Sequence, residues 1–184
     1  MEAILDSFLL VLVSEMGDKT QLLALVLTAK FKKPWAVMFG IFFATVLNHG
    51  LASLFGDWIS SLIPSSTMSW VLALTFFLFG LWILIPDKDE ELKTSTKLGA
   101  FLTTTVAFFF AEMGDKTQLA TVALGAKFST PIAVTIGTTA GMLAADGLAV
   151  FLGDKLVQKI SINWIRKIAS LSFILFGLAI LIGW

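Results

Sequence analysis

Residues 15–22 read Glu-Met-Gly-Asp-Lys-Thr-Gln-Leu, and residues 112–119 repeat the same eight residues without a change. The two copies lie 97 positions apart. The same ungapped offset aligns further matches: Lys30-Phe31 with Lys127-Phe128, Pro34 with Pro131, Gly40 with Gly137, and Phe79-Gly80-Leu81 with Phe176-Gly177-Leu178. A fixed offset over most of a chain indicates internal duplication. The sequence therefore predicts two copies of one unit, at residues 1–86 and 98–184, joined by a charged linker at residues 87–97.

The composition around these motifs is strongly apolar. Of the 184 residues, 57% are hydrophobic and 14% are charged, and the mean hydropathy is +0.90. A soluble domain carries about 25% charged residues, and a chain of this length could not bury so much apolar surface in one core. The 13 basic and 13 acidic residues cancel, which argues against a nucleic-acid partner. The absence of cysteine excludes disulfides and thiolate metal sites. The composition predicts an integral membrane protein.

Six apolar stretches approach the roughly 20 residues that a spanning helix needs. They are residues 4–27, 35–55, 70–85, 100–124, 132–152 and 165–184. Strand-like alternation is absent, so helices are favoured over a barrel. The predicted fold is an all-α integral membrane protein of six transmembrane helices, three in each copy.

An odd number of spans in each copy makes the second copy enter the membrane from the opposite side. The result is an inverted repeat, the architecture of many secondary transporters. Ten basic residues fall in the loops after spans 1, 3 and 5, and one, Lys127, falls on the other side. The ten are Lys30, Lys32, Lys33, Lys88, Lys93, Lys97, Lys155, Lys159, Arg166 and Lys167. Because basic loops stay in the cytoplasm, both termini are predicted on the periplasmic side, with the lipid bilayer around the helices.

Each motif places ionisable residues at membrane depth, where they are costly and usually mark an ion or substrate path. On a continuous helix the motif residues form one polar stripe. The candidate metal ligands on the two stripes are Glu15, Asp18, Gln21, Glu112, Asp115 and Gln118. Lys19 and Lys116 are candidate partners that hold the carboxylates in place; the alternative is that they extend toward the membrane interface. Two such stripes are expected to face each other or a shared cavity; the alternative is a set of purely structural ion pairs.

The charges in the two stripes suggest an exchange reaction. Four carboxylates and two ammonium groups leave a formal charge of −2, which one divalent cation or two protons would neutralise. Carboxylate and amide oxygens suit Mn²⁺, Ca²⁺ and Mg²⁺, whereas Zn²⁺ and copper favour imidazole or thiolate ligands. A hard divalent cation exchanged against protons is therefore the predicted cargo.

Gly17 and Gly114 lie between the acidic residues of each motif. One interpretation is that glycine lets the helix unwind so that backbone carbonyl groups can coordinate an ion. The other is close helix–helix packing through a small residue. A second glycine pattern, Gly56-Asp57 and Gly153-Asp154, predicts a helix end followed by an N-cap.

The two copies differ at one pair of polar positions, where the first has His49 and the second has Asp146. His49 is a candidate proton relay near the outer side, and Asp146 is a candidate for recruiting cations from the cytoplasm. The alternative for both is a polar residue facing a cavity and satisfied by water. Asn48 is a further candidate oxygen ligand.

The duplicated Glu-x-Gly-Asp-Lys-Thr motif, on the first span of each three-span half, resembles a family of small cation/proton exchangers. The family includes bacterial manganese exporters and Golgi manganese/calcium transporters, and the resemblance covers essentially the whole chain. It implies export of Mn²⁺, or transport of Ca²⁺, coupled to protons, in a bacterial inner membrane and with no cofactor beyond the transported ions. By motif match, Glu15, Asp18, Glu112 and Asp115 would bind the ion, with Thr20 and Thr117 nearby.

Three other classes of function compete with exchange. A passive cation channel could use the same acids as a selectivity ring, and an exporter of small organic ions could have the same size. An intramembrane enzyme is disfavoured, because the chain has no His-Glu-x-x-His motif and no Ser/His or Cys/His pair to activate a nucleophile.

Overall fold

The structure, a computed structural model, describes residues 1–85, 98–153 and 162–183, and these are helical with short turns. The first half contains α1 Glu2–Glu15, α2 Lys19–Phe31, α3 Pro34–Leu62 and α4 Ser65–Ile83. The second half contains α5 Gly99–Glu112, α6 Lys116–Phe128, α7 Pro131–Leu152 and α8 Ile162–Leu181. The predicted linker at residues 87–97 lies outside the described residues.

Four of these helices are long and apolar enough to cross a membrane. They are α3, α4, α7 and the stretch Asn163–Leu181 of α8. The helical, membrane-type fold is therefore confirmed, while the six-span inverted arrangement stays a prediction. The boundaries differ most at α3, which was predicted at residues 35–55 and extends to Leu62.

The predicted spans at residues 4–27 and 100–124 are not continuous helices. The first is divided between α1 and α2, and the second between α5 and α6, each at a three-residue break inside the motif. A single 100° helical arc therefore does not describe the motif residues. Unwinding of the helix at the motif glycines is confirmed, because Gly17 and Gly114 have φ values of +78° and +79°. Coordination of an ion by the carbonyl groups there stays a prediction.

The C-terminal ends of α2 and α6 have the same capping arrangement. Lys32 after α2 and Ser129 after α6 adopt left-handed backbone conformations, and their N–H groups donate to the carbonyl oxygens of Thr28 and Gly125. This arrangement satisfies carbonyl groups that a helix end leaves unpaired. A proline two residues later, Pro34 or Pro131, begins the next helix at a position where its missing N–H is not needed.

The prediction that a helix ends at Gly56 is wrong, because α3 continues through Gly56 and Asp57 to Leu62. A Cβ atom on Gly56 would overlap the carbonyl oxygen of Val122 in α6. The glycine is needed for close approach of two helices rather than for a turn. In the second copy the helix end is confirmed, since α7 stops at Leu152 and Gly153 has a φ of +67°. Asp154 lies outside the described residues.

The helices pack so that each half is completed by the other. α1 lies against α7, its counterpart α5 lies against α3, and α4 packs along α8. One relationship is unequal: α6 packs far more extensively on α3 than α2 packs on α7. The motif glutamates that precede the two breaks are buried inside this assembly, whereas Met113 and Gly114 of the second break are exposed.

Candidate metal centre

The two helix breaks have nearly the same backbone conformation. Met16 and Met113 are extended, with φ/ψ of −64°/117° and −67°/115°. Asp18 and Asp115, the N-caps of α2 and α6, have φ/ψ of −86°/172° and −76°/166°. No atom lies within 4 Å of a Cβ built on Gly114, so at that position close packing is not the reason for glycine.

A glutamine stabilises each break from inside the following helix. The Oε1 atom of Gln21 accepts a hydrogen bond from the Gly17 N–H at 3.0 Å, and that of Gln118 accepts one from the Gly114 N–H at 2.6 Å. The two Nε2 groups donate across the halves, to the carbonyl of Ala145 at 2.8 Å and to Oδ1 of Asn48 at 3.4 Å. One lone pair of each amide oxygen is thus already used by the turn. Ligation of a metal by these two residues stays a prediction.

Glu15 ends α1 and is fully buried, with both carboxyl oxygens engaged by hydroxyl groups. Thr20 of the same half donates to Oε2 at 2.8 Å. Thr117 of the other half donates to Oε1 in a short hydrogen bond. The first glutamate is therefore held by one threonine from each motif.

Glu112 ends α5 and is also fully buried, but its surroundings are different. Neither of its carboxyl oxygens has a hydrogen-bond partner among the described residues. Four other carboxyl groups lie within electrostatic range of it: those of Glu15, Asp18, Asp115 and Asp146. The structure thus brings both motif glutamates into one acidic region, as the two-stripe prediction requires.

The two motif lysines are used differently. Lys19 forms an ion pair with Asp115 of the other half, with Nζ and Oδ2 3.5 Å apart. Lys116 donates to the carbonyl oxygen of Ile85 at 2.9 Å, just beyond the end of α4, and its Nζ lies 5.8 Å from the ring centroid of Trp82. The predicted pairing of lysine with carboxylate is therefore present at Lys19. Lys116 connects α6 to the end of α4.

The polar residues that distinguish the two copies, His49 and Asp146, are both fully buried. The Asp146 carboxyl group lies within electrostatic range of Glu15, and its oxygens have no hydrogen-bond partner in the described part of the chain. The ring nitrogens of His49 also lack a partner there. Asn48 donates to the carbonyl of Phe109 at 2.9 Å and accepts from Gln118. Asp146 thus joins the acidic region, and Asn48 links α3 to the second motif.

A small cleft of about 20 Å³, roughly the space of one water molecule, opens beside the first helix break. Asp18, Lys116 and Thr117 line it from the two motifs, and Ile83 and Arg166 line it from α4 and α8. Sequence reasoning did not assign Ile83 or Arg166 to the site, nor the contacts of Lys116 with Ile85 and Trp82. No motif marks these residues, and only the packing of α4 and α8 brings them to the break.

The family described as Divalent cation/proton antiporter GDT1 matches residues 3–91 and 100–184 of this chain. The chain belongs to the GDT1 family. It is 41% identical over 181 residues to a protein of Vibrio cholerae serotype O1 named "Putative manganese exporter", covering 97% of this chain and 90% of that protein. It is 28% identical over 206 residues to GDT1-like protein 3 of Arabidopsis thaliana, covering 97% of this chain and 70% of that protein. No solved structure matches the chain.

Membership of the GDT1 family confirms the resemblance carried by the duplicated motif. The GDT1 family is one of transporters, so the chain belongs with proteins that move divalent cations against protons rather than with enzymes. The motif residues of this GDT1 chain are those that form the two helix breaks and the acidic region between them.

The two breaks also place helix ends beside the motif side chains. Each break joins the C-terminal end of one half-helix, α1 or α5, to the N-terminal end of the next. Half-helix ends and unwound carbonyl groups coordinate ions in many transporters, and the helix dipole makes the C-terminal end attractive to cations. Within the described residues, no three acidic or histidine side chains surround one point closely enough to hold a metal ion as they stand.

Proposed function

We propose that this chain exports a divalent metal ion, Mn²⁺ in the first place, from the cytoplasm of a bacterium in exchange for protons. The observation that carries the proposal is the buried acidic region shared by the two halves. Glu15 and Glu112 are both fully buried, and Thr117 of one half bonds Glu15 of the other. A buried carboxylate is tolerated only when it is paired, protonated or bound to a metal.

The proposed site consists of the motif carboxyl groups, supplemented by backbone carbonyl groups of the two breaks. Glu15, Asp18, Glu112 and Asp115 are the proposed ligands, and Asp146 contributes charge. With Lys19 and Lys116 included, the four motif acids have a formal charge of −2, and Asp146 makes it −3. One divalent cation or an equivalent number of protons neutralises most of this charge, so the metal ion and the protons compete for the same carboxyl groups.

Oxygen ligands and the absence of cysteine favour a hard cation. Mn²⁺ is preferred over Ca²⁺ and Mg²⁺ because a protein 41% identical to this chain is named as a manganese exporter. The transported ion is a substrate, and the proposal requires no resident cofactor.

The proposed membrane arrangement is an inverted repeat of two three-span units, with α1–α2 and α5–α6 as discontinuous first spans. The nearly identical backbone of the two breaks supports it. The basic residues in the loops after spans 1, 3 and 5 support a cytoplasmic position for those loops and a periplasmic position for both termini. Alternation of the two units about the acidic region would expose it to each side in turn.

Proteoliposomes containing a pH-sensitive dye test the proposal. We expect Mn²⁺ uptake to move protons in the opposite direction, and Glu15→Gln and Glu112→Gln each to abolish both movements without preventing insertion. Glu2→Gln is the matched control, because Glu2 is an exposed glutamate at the start of α1. Full Mn²⁺ transport by either motif variant would remove that residue from the site. Metal conduction without proton movement would indicate a channel, and metal-independent movement of organic ions would indicate a different exporter.

A further inference from the structure

The two motif glutamates occupy matching positions in matching backbone, yet they have opposite hydrogen-bond environments. Glu15 accepts a hydroxyl hydrogen bond at each oxygen, from Thr20 and Thr117. Glu112 accepts none among the described residues. Because the breaks have the same dihedral angles, the difference lies in the side chains and not in the local fold.

Glu112 has a threonine at the same spacing as the one that donates to Glu15. Thr20 lies five residues after Glu15 and donates to it across the first break. Thr117 lies five residues after Glu112, across a break with the same backbone, and its side chain instead reaches Glu15 of the other half. A change of side-chain rotamer, without refolding of the turn, would let Thr117 donate to Glu112.

The two threonines cannot serve both glutamates fully. A hydroxyl group has one proton to donate, so the two threonines together supply two such bonds. In this conformation both are given to Glu15, and Glu112 can receive one only when Glu15 loses it. The two glutamates therefore compete for the same pair of donors.

An independent asymmetry in the packing accompanies this one. α6, which begins just before Thr117, packs extensively along α3, with the Gly56 position against the backbone of Val122 and the Gly125 position against that of Ser53. Its counterpart α2 packs much less on α7. Unequal packing of this kind is what one conformation of an alternating inverted repeat would show. The half whose second half-helix packs more extensively, α6, is also the half whose threonine reaches across to Glu15.

We propose that Thr20 and Thr117 are positioning residues that hold one glutamate at a time. They hold Glu15 in this conformation and Glu112 in an exchanged conformation, in which the two halves have swapped roles. The glutamate left unheld receives the cation. The inference rests on the exchange proposed above and deepens it. A glutamate with both oxygens committed to hydroxyl groups has less capacity to bind an ion, whereas the unpartnered Glu112 carboxyl group needs a partner. The side of the membrane to which the acidic region opens and the glutamate that receives the cation would then change together.

The test measures the balance between the two conformations, without relying on transport. The chain contains no cysteine, so single cysteines can report access in the full-length protein reconstituted in liposomes. Ile83→Cys reports the cleft beside the first break, which Ile83 lines. Ile180→Cys is its matched reporter, since Ile180 lies 97 positions later and both isoleucines are almost fully buried. The probe is a charged, membrane-impermeant maleimide.

We expect Glu112→Ala to favour the present conformation, because the threonines then have only Glu15 to bond. We expect Glu15→Ala to favour the exchanged conformation. The labelling rate of the Ile83→Cys reporter is divided by that of the Ile180→Cys reporter in each background. This ratio should be higher in the Glu112→Ala background than in the Glu15→Ala background by roughly tenfold or more, the size expected for a hydrogen bond to a charged group. Glu112→Gln and Glu15→Gln, which keep the side-chain shape and one acceptor, should show the same sign with a smaller amplitude.

The hydroxyl groups themselves are tested in the same assay. Replacing both threonines, by Thr20→Val with Thr117→Val, should abolish the difference between the Glu15 and Glu112 backgrounds, and Thr→Ser at both positions should retain it. An unchanged labelling ratio, or a difference that persists with valine at both positions, would overturn the inference. Mn²⁺ uptake by the wild-type chain is measured separately, so failure of the exchange proposal and failure of this one give different results.

Discussion

Lys19 and Asp115 form an ion pair between the two halves, with Nζ and Oδ2 3.5 Å apart. The side chain of Asp115 is 5% exposed and that of Lys19 is 28% exposed, so the carboxylate is the more deeply buried partner. Asp115 is also the N-cap of α6 and accepts a hydrogen bond from the Lys116 N–H at 2.7 Å. One side chain thus connects the start of α6 to the start of α2.

The unequal burial of this pair predicts unequal effects of removing its members. Lys19→Met leaves a buried carboxylate without its ammonium partner, whereas Asp115→Asn leaves a partly exposed ammonium and keeps an acceptor for the N-cap. We expect Lys19→Met to lower the thermal unfolding midpoint in detergent more than Asp115→Asn does. The double variant should recover part of the loss, with a coupling of about 1 kcal/mol. Lys33→Met, at an exposed loop lysine, is the control, and additive effects of the two changes would contradict the pairing.

The close approach of α3 and α6 at Gly56 gives a second prediction. Gly56→Ala places a Cβ in overlap with the Val122 carbonyl oxygen and 2.8 Å from the Ala126 nitrogen, both of them backbone atoms that cannot rotate away. We expect a loss of stability of about 3 kcal/mol or more, at the upper end for overpacked sites. Gly50→Ala is the matched control in the same helix, because the nearest atom to its Cβ would be 3.9 Å away, on Thr135. Equal unfolding midpoints for the two alanine variants would refute the close packing.

Gly56 also shows where prediction from the sequence reaches its limit. Outside the duplicated motif, the pair Gly-Asp occurs at residues 56–57 and 153–154, and local rules give both the same meaning, a helix end. The second copy follows that rule, with a positive φ at Gly153, but in the first copy the same glycine lies inside a helix. What differs is the neighbour, α6 against α3, and a long-range contact of that kind leaves no local signal.

More of the local structure of the motif could be predicted, because its chemistry is local and occurs twice. The membrane-type helical fold and the acidic character of the site followed from apolar stretches interrupted by charge, and unwinding at Gly17 and Gly114 was one of two open interpretations. The resemblance placed Thr20 and Thr117 near the acids, but the pairing of Thr117 with Glu15 and of Lys116 with Ile85 could not be predicted, since each joins distant parts of the chain. Side chains that meet across an interface between halves depend on the packing angle, which a repeated motif does not specify.

The left-handed conformation of Gly114 leads to a third prediction. Since nothing lies within 4 Å of its Cβ position, a substitution there tests the backbone alone. A left-handed residue costs roughly 1–2 kcal/mol for ordinary L-amino acids, and asparagine tolerates this region much better than a β-branched residue does. We expect Gly114→Asn to unfold close to the wild-type temperature and Gly114→Val to unfold several degrees lower. Identical midpoints for the two variants would show that the turn does not require a positive φ.

The position of Asp146 within electrostatic range of both motif glutamates gives the last prediction. Asp146→Asn removes a negative charge from the acidic region while keeping the size of the side chain. Because a unit charge near the ion contributes on the order of 1–2 kcal/mol at the effective dielectric of a protein, we expect the Mn²⁺ concentration for half-maximal exchange to rise by about tenfold. His49→Asn is the matched control at the corresponding position of the other half. The assay is run at pH 8, where an imidazole is neutral, so this change alters no charge and should leave that concentration within about twofold of wild type. Equal effects of the two substitutions would show that Asp146 acts through packing and not through its charge.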